Sequence, residues 1–248
     1  AQVAVVDAIH IARESVANFL STDLKADFAE VFNSNFSEGI FSIEPEDVAR
    51  RALKNISLNY LVRSGDGHWI EKCFNQFTQA DNMTDQLAAL RFLMIYSEKH
   101  CREEAEKALS MFYDQWKHEP LVVDQWFVTQ ALYPGVEALE QVKALCKHQA
   151  FDIKNPNKVR SLIGVFSSQN HIQFHQDGGE GYEFLAGSII QLDRINPQIA
   201  ARMMTPLTRW KKFDHKRQAL MQAQLQRIKE TPNLSKDVFE VAEKSTVV

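Results

Sequence analysis

Two histidines four apart, in HIQFH at residues 171–175, have the spacing with which one helix face can offer two imidazoles to a single metal ion. A hydrolytic zinc site of that kind needs more: a glutamate directly after the first histidine, as general base toward the metal-bound water, and a third ligand. The position after His171 is Ile172, which takes no proton. In the glutamate-type zinc enzymes the third ligand is a glutamate after a spacer of about eighteen residues. That position here is Arg194, which has the wrong charge. A helix-breaking DGG follows at 177–179, and the other histidines, at 10, 68, 100, 118, 148 and 215, are isolated. His171 and His175 therefore read as surface or helix-end residues, and the metal-ligand set of this chain reads as none.

Arginine and glutamine form a second set. Arg160, in NPNKVRS at 155–161, falls early in a helix, where the backbone N–H groups of the first turn add positive potential. A guanidinium there can take a carboxylate on two parallel N–H donors. Gln198 and Arg202 follow Asn196-Pro197 four residues apart, hence on one helix face. The plain alternative for each is a surface ion pair or a side chain lying along apolar surface. Nucleophile and phosphate motifs are missing: there is no GxSxG, GxxxxGK[ST] or GxGxxG, and GGEG at 178–181 lacks the lysine and hydroxyl of a phosphate loop. The chain's own residues assemble no catalytic centre.

The elements that would carry these residues are helices almost throughout. Leu24, Phe28, Val31 and Phe32 recur at i, i+4, i+7 and i+8, and Leu87, Leu90, Met94 and Ile95 repeat the stripe. Breaks fall at Gly65-Asp66-Gly67, at Asp81-Asn82-Met83-Thr84, before Pro120, at Tyr133-Pro134-Gly135, Asn155-Pro156, Asp177-Gly178-Gly179 and Asn196-Pro197, and at Thr231-Pro232-Asn233. Pro45, followed by Glu46 and Asp47, starts a helix. Helices of roughly 12 to 20 residues with short joints are expected between the breaks. Only residues 35–43 read as extended. About a dozen such helices predict an all-α superhelical array of antiparallel pairs, HEAT/armadillo-like but without a strict repeat. No Gly/Ser or proline-rich linker divides the chain, so residues 1–248 are expected to form one domain.

Composition agrees with a packed globular protein: 248 residues, 45% hydrophobic and 24% charged. A net charge of −4 and pI near 6.1 give no overall field for nucleic acid or an anionic membrane, and no apolar run reaches the roughly 18 residues of a membrane span. Three scattered cysteines, Cys73, Cys101 and Cys146, fit a reducing, cytoplasmic compartment. The opening AQVAVVDAIHIARESV, without an initiator methionine or a basic leader, reads as a piece cut from a longer protein.

Three stretches carry a resemblance: ADNMTDQLAALRFL at 80–93, NPNKVRSLIGVFSSQNHIQFHQDGGEGYEF at 155–184 and DRINPQIAARMMTPLTRWKKFDHKRQALM at 193–221. With VVDQWF at 122–127, and in order from about residue 1 to 234 or beyond, they resemble the C-terminal helical domain of the bacterial aminopeptidase N family, zinc-dependent alanyl aminopeptidases. The resemblance implies a four-domain parent enzyme with zinc in a thermolysin-like domain bearing HExxH and GxMEN, neither of which occurs in these 248 residues. By that resemblance this chain is the non-catalytic cap. It holds no cofactor of its own, is inactive alone, partners the catalytic domain of the same parent chain and encloses the peptide substrate's chamber. The resemblance also assigns substrate contacts to Arg160, Gln198 and Arg202. In the family the first position of HIQFH is commonly not histidine, which agrees with the metal reading. The competing class is a freestanding helical-repeat scaffold that binds another protein.

Overall fold

A computed structural model describes residues 3–36 and 41–246. Among the described residues there are sixteen α-helical segments, two π-helical turns, one 3-10 turn and no strand. One isolated bridge joins Ala4 to Phe213. The all-α reading is therefore that of the molecule. Of the stretch expected to be extended, residues 37–40 lie outside the described residues, Asn35 is in a turn, and 41–43 have no regular structure.

The helices gather into two compact units, one of residues 11–122 and the other of 1–10 with 123–248. In the first, Lys25–Ser34 packs on Pro45–Arg63, and Met83–Tyr96 packs on both Gly67–Gln79 and Arg102–Trp116. Leu58, Leu61, Phe77, Leu90, Leu93 and Phe112 are fully or almost fully buried there. Each such side chain is worth about 1.5–3 kcal/mol relative to exposure. The stripes foreseen from spacing are used in part: Phe32, Leu90 and Met94 are buried, Phe28, Val31 and Leu87 half-buried, while Leu24 is 40% and Ile95 37% exposed. Leu24 occupies the joint before Lys25, outside regular helix geometry, so the period does not carry through it.

Breaks in the sequence are mostly helix starts. Asp66 accepts from the backbone N–H of His68 at 2.9 Å, and Asn82 from that of Asp85 at 2.9 Å. These caps replace bonds that the first helical turn lacks. Gly65, at φ +73°, makes the turn itself, and Gly67 opens the next helix. The Asp85 carboxylate is also held from below: Lys54 Nζ donates to it at 2.7 Å and Asn55 Nδ2 at 2.8 Å. Both side chains of the Lys54–Asp85 ion pair are nine-tenths buried.

In the second unit, Glu180–Asp193 packs on Pro197–Met203 and on His215–Lys229, and His215–Lys229 on Lys236–Thr246. Phe166, Phe174, Tyr182, Ile189, Met204 and Leu225 form its fully buried interior. Here the expected long helices are cut short. Residues 156–169 run as Pro156–Val159, a π turn at Arg160–Gly164, then Val165–Gln169, and the next two turns, His171–Phe174 and Thr205–Thr208, are four residues each. No helix among the described residues is long and apolar enough to cross a membrane.

Candidate functional site

The short segments of the second unit surround a cleft of about 300 Å³. Arg160 enters it from the π turn. Asn155 starts that helical run by accepting from Asn157 N–H at 2.9 Å, and Pro156 supplies a preset first turn. The run is pinned by Lys158, whose Nζ donates to Asp124 Oδ1 at 2.7 Å in a pair with side chains only 8% and 12% exposed. A π turn inserts one residue into the helical ladder and re-aims the side chains after it. Arg160 stands at its first position and is exposed.

The next wall is HIQFH. Asn170, buried, donates to the carbonyls of Ala131 at 3.0 Å and Tyr133 at 2.8 Å, which ties the turn that follows to the end of the Pro120–Ala131 helix. His171 is exposed and His175 is buried. His175 Nδ1 is 2.8 Å from Tyr182 Oη, its ring lies 4.3 Å from that of Phe213, and its carbonyl accepts from Arg217 Nε at 2.8 Å. Burial, helped by His171 and Arg217 nearby, pushes the His175 imidazole down to about 3, so it is neutral at ordinary pH. Burial likewise pushes the Tyr182 phenol up. Arg217 donates in turn to Asp214 at 2.8 Å and Asp7 at 2.7 Å, with Asp177 at 3.3 Å.

This geometry does not suit zinc. One nitrogen of His175 is engaged by Tyr182, the two imidazoles stack at 6.2 Å, and among the described residues no three His, Cys, Asp or Glu side chains are grouped to hold a metal. No step through zinc is assigned to residues of this chain.

The remaining wall comes from Pro197–Met203 and the turns after it. Asn196 caps that helix by accepting from Ile199 N–H at 3.1 Å. Gln198 and Arg202 are both exposed on it, but only Arg202 lines the cleft. Thus the structure brings Arg160 and Arg202 together and leaves Gln198 outside that lining. It adds three residues that spacing did not single out: Arg209, Ser167 and Ser168. Arg209 lies seven residues beyond Arg202, two helical turns on, and that offset was the available signal. The helix stops at Met203, however, so periodicity alone does not carry across.

The family model described as "Domain of unknown function (DUF3458_C) ARM repeats" matches residues 1–247. Aminopeptidase N of Escherichia coli (strain K12) is 39% identical over 240 residues, 95% of this chain and 27% of that protein. Aminopeptidase N of Haemophilus influenzae is 38% identical over 240 residues, with 96% and 27% coverage. Among solved structures, the crystal structure of Legionella pneumophila aminopeptidase A in complex with aspartic acid matches with a TM-score of 0.86 and 35% identity, over 95% of this chain and 28% of that one. The chain thus spans about 27% of the length of these curated relatives.

Proposed function

We propose, from the premise that the chain belongs to the DUF3458_C family of ARM-repeat domains, that residues 1–248 form the C-terminal capping domain of a zinc-dependent aminopeptidase. The observation that carries this is the match of 95% of the chain to 27% of an aminopeptidase N. The parent enzyme releases N-terminal amino acids from peptides with water activated by zinc in its catalytic domain. The cap encloses the substrate chamber and is inactive alone. Its partners are that catalytic domain and the peptide.

The docking part of this reading is supported by the Val6–Asp23 helix, where Val16 and Phe19, on one face, are 60% and 62% exposed. A covering domain would bury that stripe. Support for the peptide part is the cleft shared by Arg160 and Arg202. Gln198, four residues before Arg202, contacts the peptide backbone beyond the cleft rim, as donor or acceptor. These contacts tune affinity and peptide length, while the chemistry belongs to the catalytic domain. A cytoplasmic site fits the three free cysteines, of which Cys73 and Cys101 are buried and held as thiols by that burial.

The test is kinetic. In the aminopeptidase carrying this chain, Arg160→Ala or Arg202→Ala raises KM about tenfold for tri- and tetrapeptides and leaves alanyl-arylamides, which end short of these groups, nearly unchanged. Equal effects on both substrate types would sink the peptide-contact role, and zinc-dependent arylamide hydrolysis by the 248-residue chain alone would sink the non-catalytic assignment.

A further inference from the structure

Arg160, Arg202 and Arg209 line one cleft, and no aspartate or glutamate is among the described residues that line it with them. Some guanidinium groups elsewhere in the chain are matched with acids. Arg63 meets Glu14 at 3.1 Å, and Arg217 meets Asp7 and Asp214 within 2.8 Å. Among the described residues the three cleft arginines have no such partner. Three like charges facing one concavity repel one another, and a concave, low-dielectric wall concentrates their field. All three side chains are exposed, and an anion entering the cleft meets all of them.

The rest of the lining points the same way. Ser167 lies in it at 2% exposure, with a hydroxyl that has no hydrogen-bond partner. Val165, Met203, Pro206 and Phe213 supply an apolar floor, suited to the aliphatic part of a ligand that ends in a charge. The volume of about 300 Å³ holds one or two amino-acid residues and excludes a folded chain.

We infer that Arg209 joins Arg160 and Arg202 in a binding site for the free C-terminal carboxylate of a short peptide, and that Arg209 is a specificity-determining residue for that terminus. A planar guanidinium takes a carboxylate on two parallel donors, and an amide terminus offers one acceptor and no charge. The choice of a peptide rests on the function proposed above. The anion chemistry rests on this chain alone, and an inorganic phosphate shares it.

The experiment titrates the 248-residue chain at low ionic strength with trialanine, trialanine amide and inorganic phosphate, by amide-resonance shifts or calorimetry. Trialanine is expected to bind saturably, its amide at least about tenfold more weakly, and phosphate to compete with the acid. Arg209→Ala weakens trialanine by about tenfold or more, and Arg209→Lys, which keeps the charge and loses the fork, by less. Because Arg209 is exposed, both variants keep the parent melting temperature. Equal binding of acid and amide overturns the proposal, as does an unchanged Arg209→Ala variant, or phosphate binding with no peptide binding. If trialanine binds as expected but arginine variants leave peptide KM in the enzyme untouched, the carboxylate site stands and the substrate role proposed for it fails.

Discussion

Replacing Lys158 by methionine removes the ammonium 2.7 Å from Asp124 and keeps most of the stem's volume. At an effective dielectric near 20, two unit charges at that separation attract by about 6 kcal/mol, from 332/(20 × 2.7). Desolvation of both ions offsets most of this, because the side chains are only 8% and 12% exposed. The variant's penalty therefore comes from the partner left behind. Asp124 remains in the interior with its charge unmatched, a change that costs about 3–5 kcal/mol. At about 2–4 °C per kcal/mol for a chain of this size, the melting temperature should fall by about 6–20 °C. Replacing the pair together, Lys158→Met with Asp124→Leu, should restore most of the loss, since no buried charge is then orphaned. The assay is calorimetry with urea denaturation on parent, both single variants and the double variant, which isolates the coupling. A single-variant cost below about 1 kcal/mol, or a double variant as unstable as the two single losses added, would refute the reasoning. Because Lys158 is two residues before Arg160, the double variant also separates stability from cleft geometry: it should keep trialanine affinity if the π turn holds its own shape.

Three further outcomes are expected. The buried His175 stays neutral down to about pH 3, whereas the unfolded chain takes that proton near 6.5, so its contribution is full above about 6.5, declines as pH falls toward 3 and levels below; His175→Phe should flatten this window in denaturation curves, and an unaltered slope would show the imidazole is not held neutral. A Cβ at Gly181 would run into the backbone carbonyl of Phe174, so Gly181→Ala should destabilise by about 1–3 kcal/mol, and a neutral result in urea would contradict the packing of that helix start. Asn196→Ala removes the cap of the helix bearing Gln198 and Arg202 and should cost about 1 kcal/mol, with amide exchange accelerating first in that helix; protection lost evenly over the unit would count against a local role.

The helical class and most joints were legible because asparagine, aspartate, proline and glycine act locally. Asn82, Asn155 and Asn196 each cap the helix that begins just after them, and that reading needs only the neighbouring residues. What was not legible depends on distant partners. HIQFH has the spacing of a ligand pair, yet the state of His175 is set by Tyr182, Phe213 and Arg217, the last of them 42 residues away. The joining of Arg160 with Arg202 came from a family resemblance, since spacing relates only Gln198 to Arg202. Spacing did not reach Arg209 because the helix that would have linked it to Arg202 ends at Met203.

That interruption also explains how a helical array can make a concave site. A long amphipathic helix spends one face on the core and turns its polar side chains outward along a single stripe, so charges on successive helices diverge. Short capped turns change direction every few residues. Here the π turn at Arg160–Gly164, the HIQF turn after Asn170 and the Thr205–Thr208 turn before Arg209 bring side chains to one opening with Arg202 of the Pro197–Met203 helix. Each break leaves backbone groups that helix bonding would have satisfied. Arg217 answers part of that loss by donating to the carbonyl of His175, and Asn170 ties the HIQF turn down by donating to two carbonyls at the end of the Pro120–Ala131 helix and just beyond it. The buried polar network beneath the cleft is thus the structural counterpart of the three unmatched arginines at its mouth: the first holds the broken segments in place, and the second is what the breaks put on display.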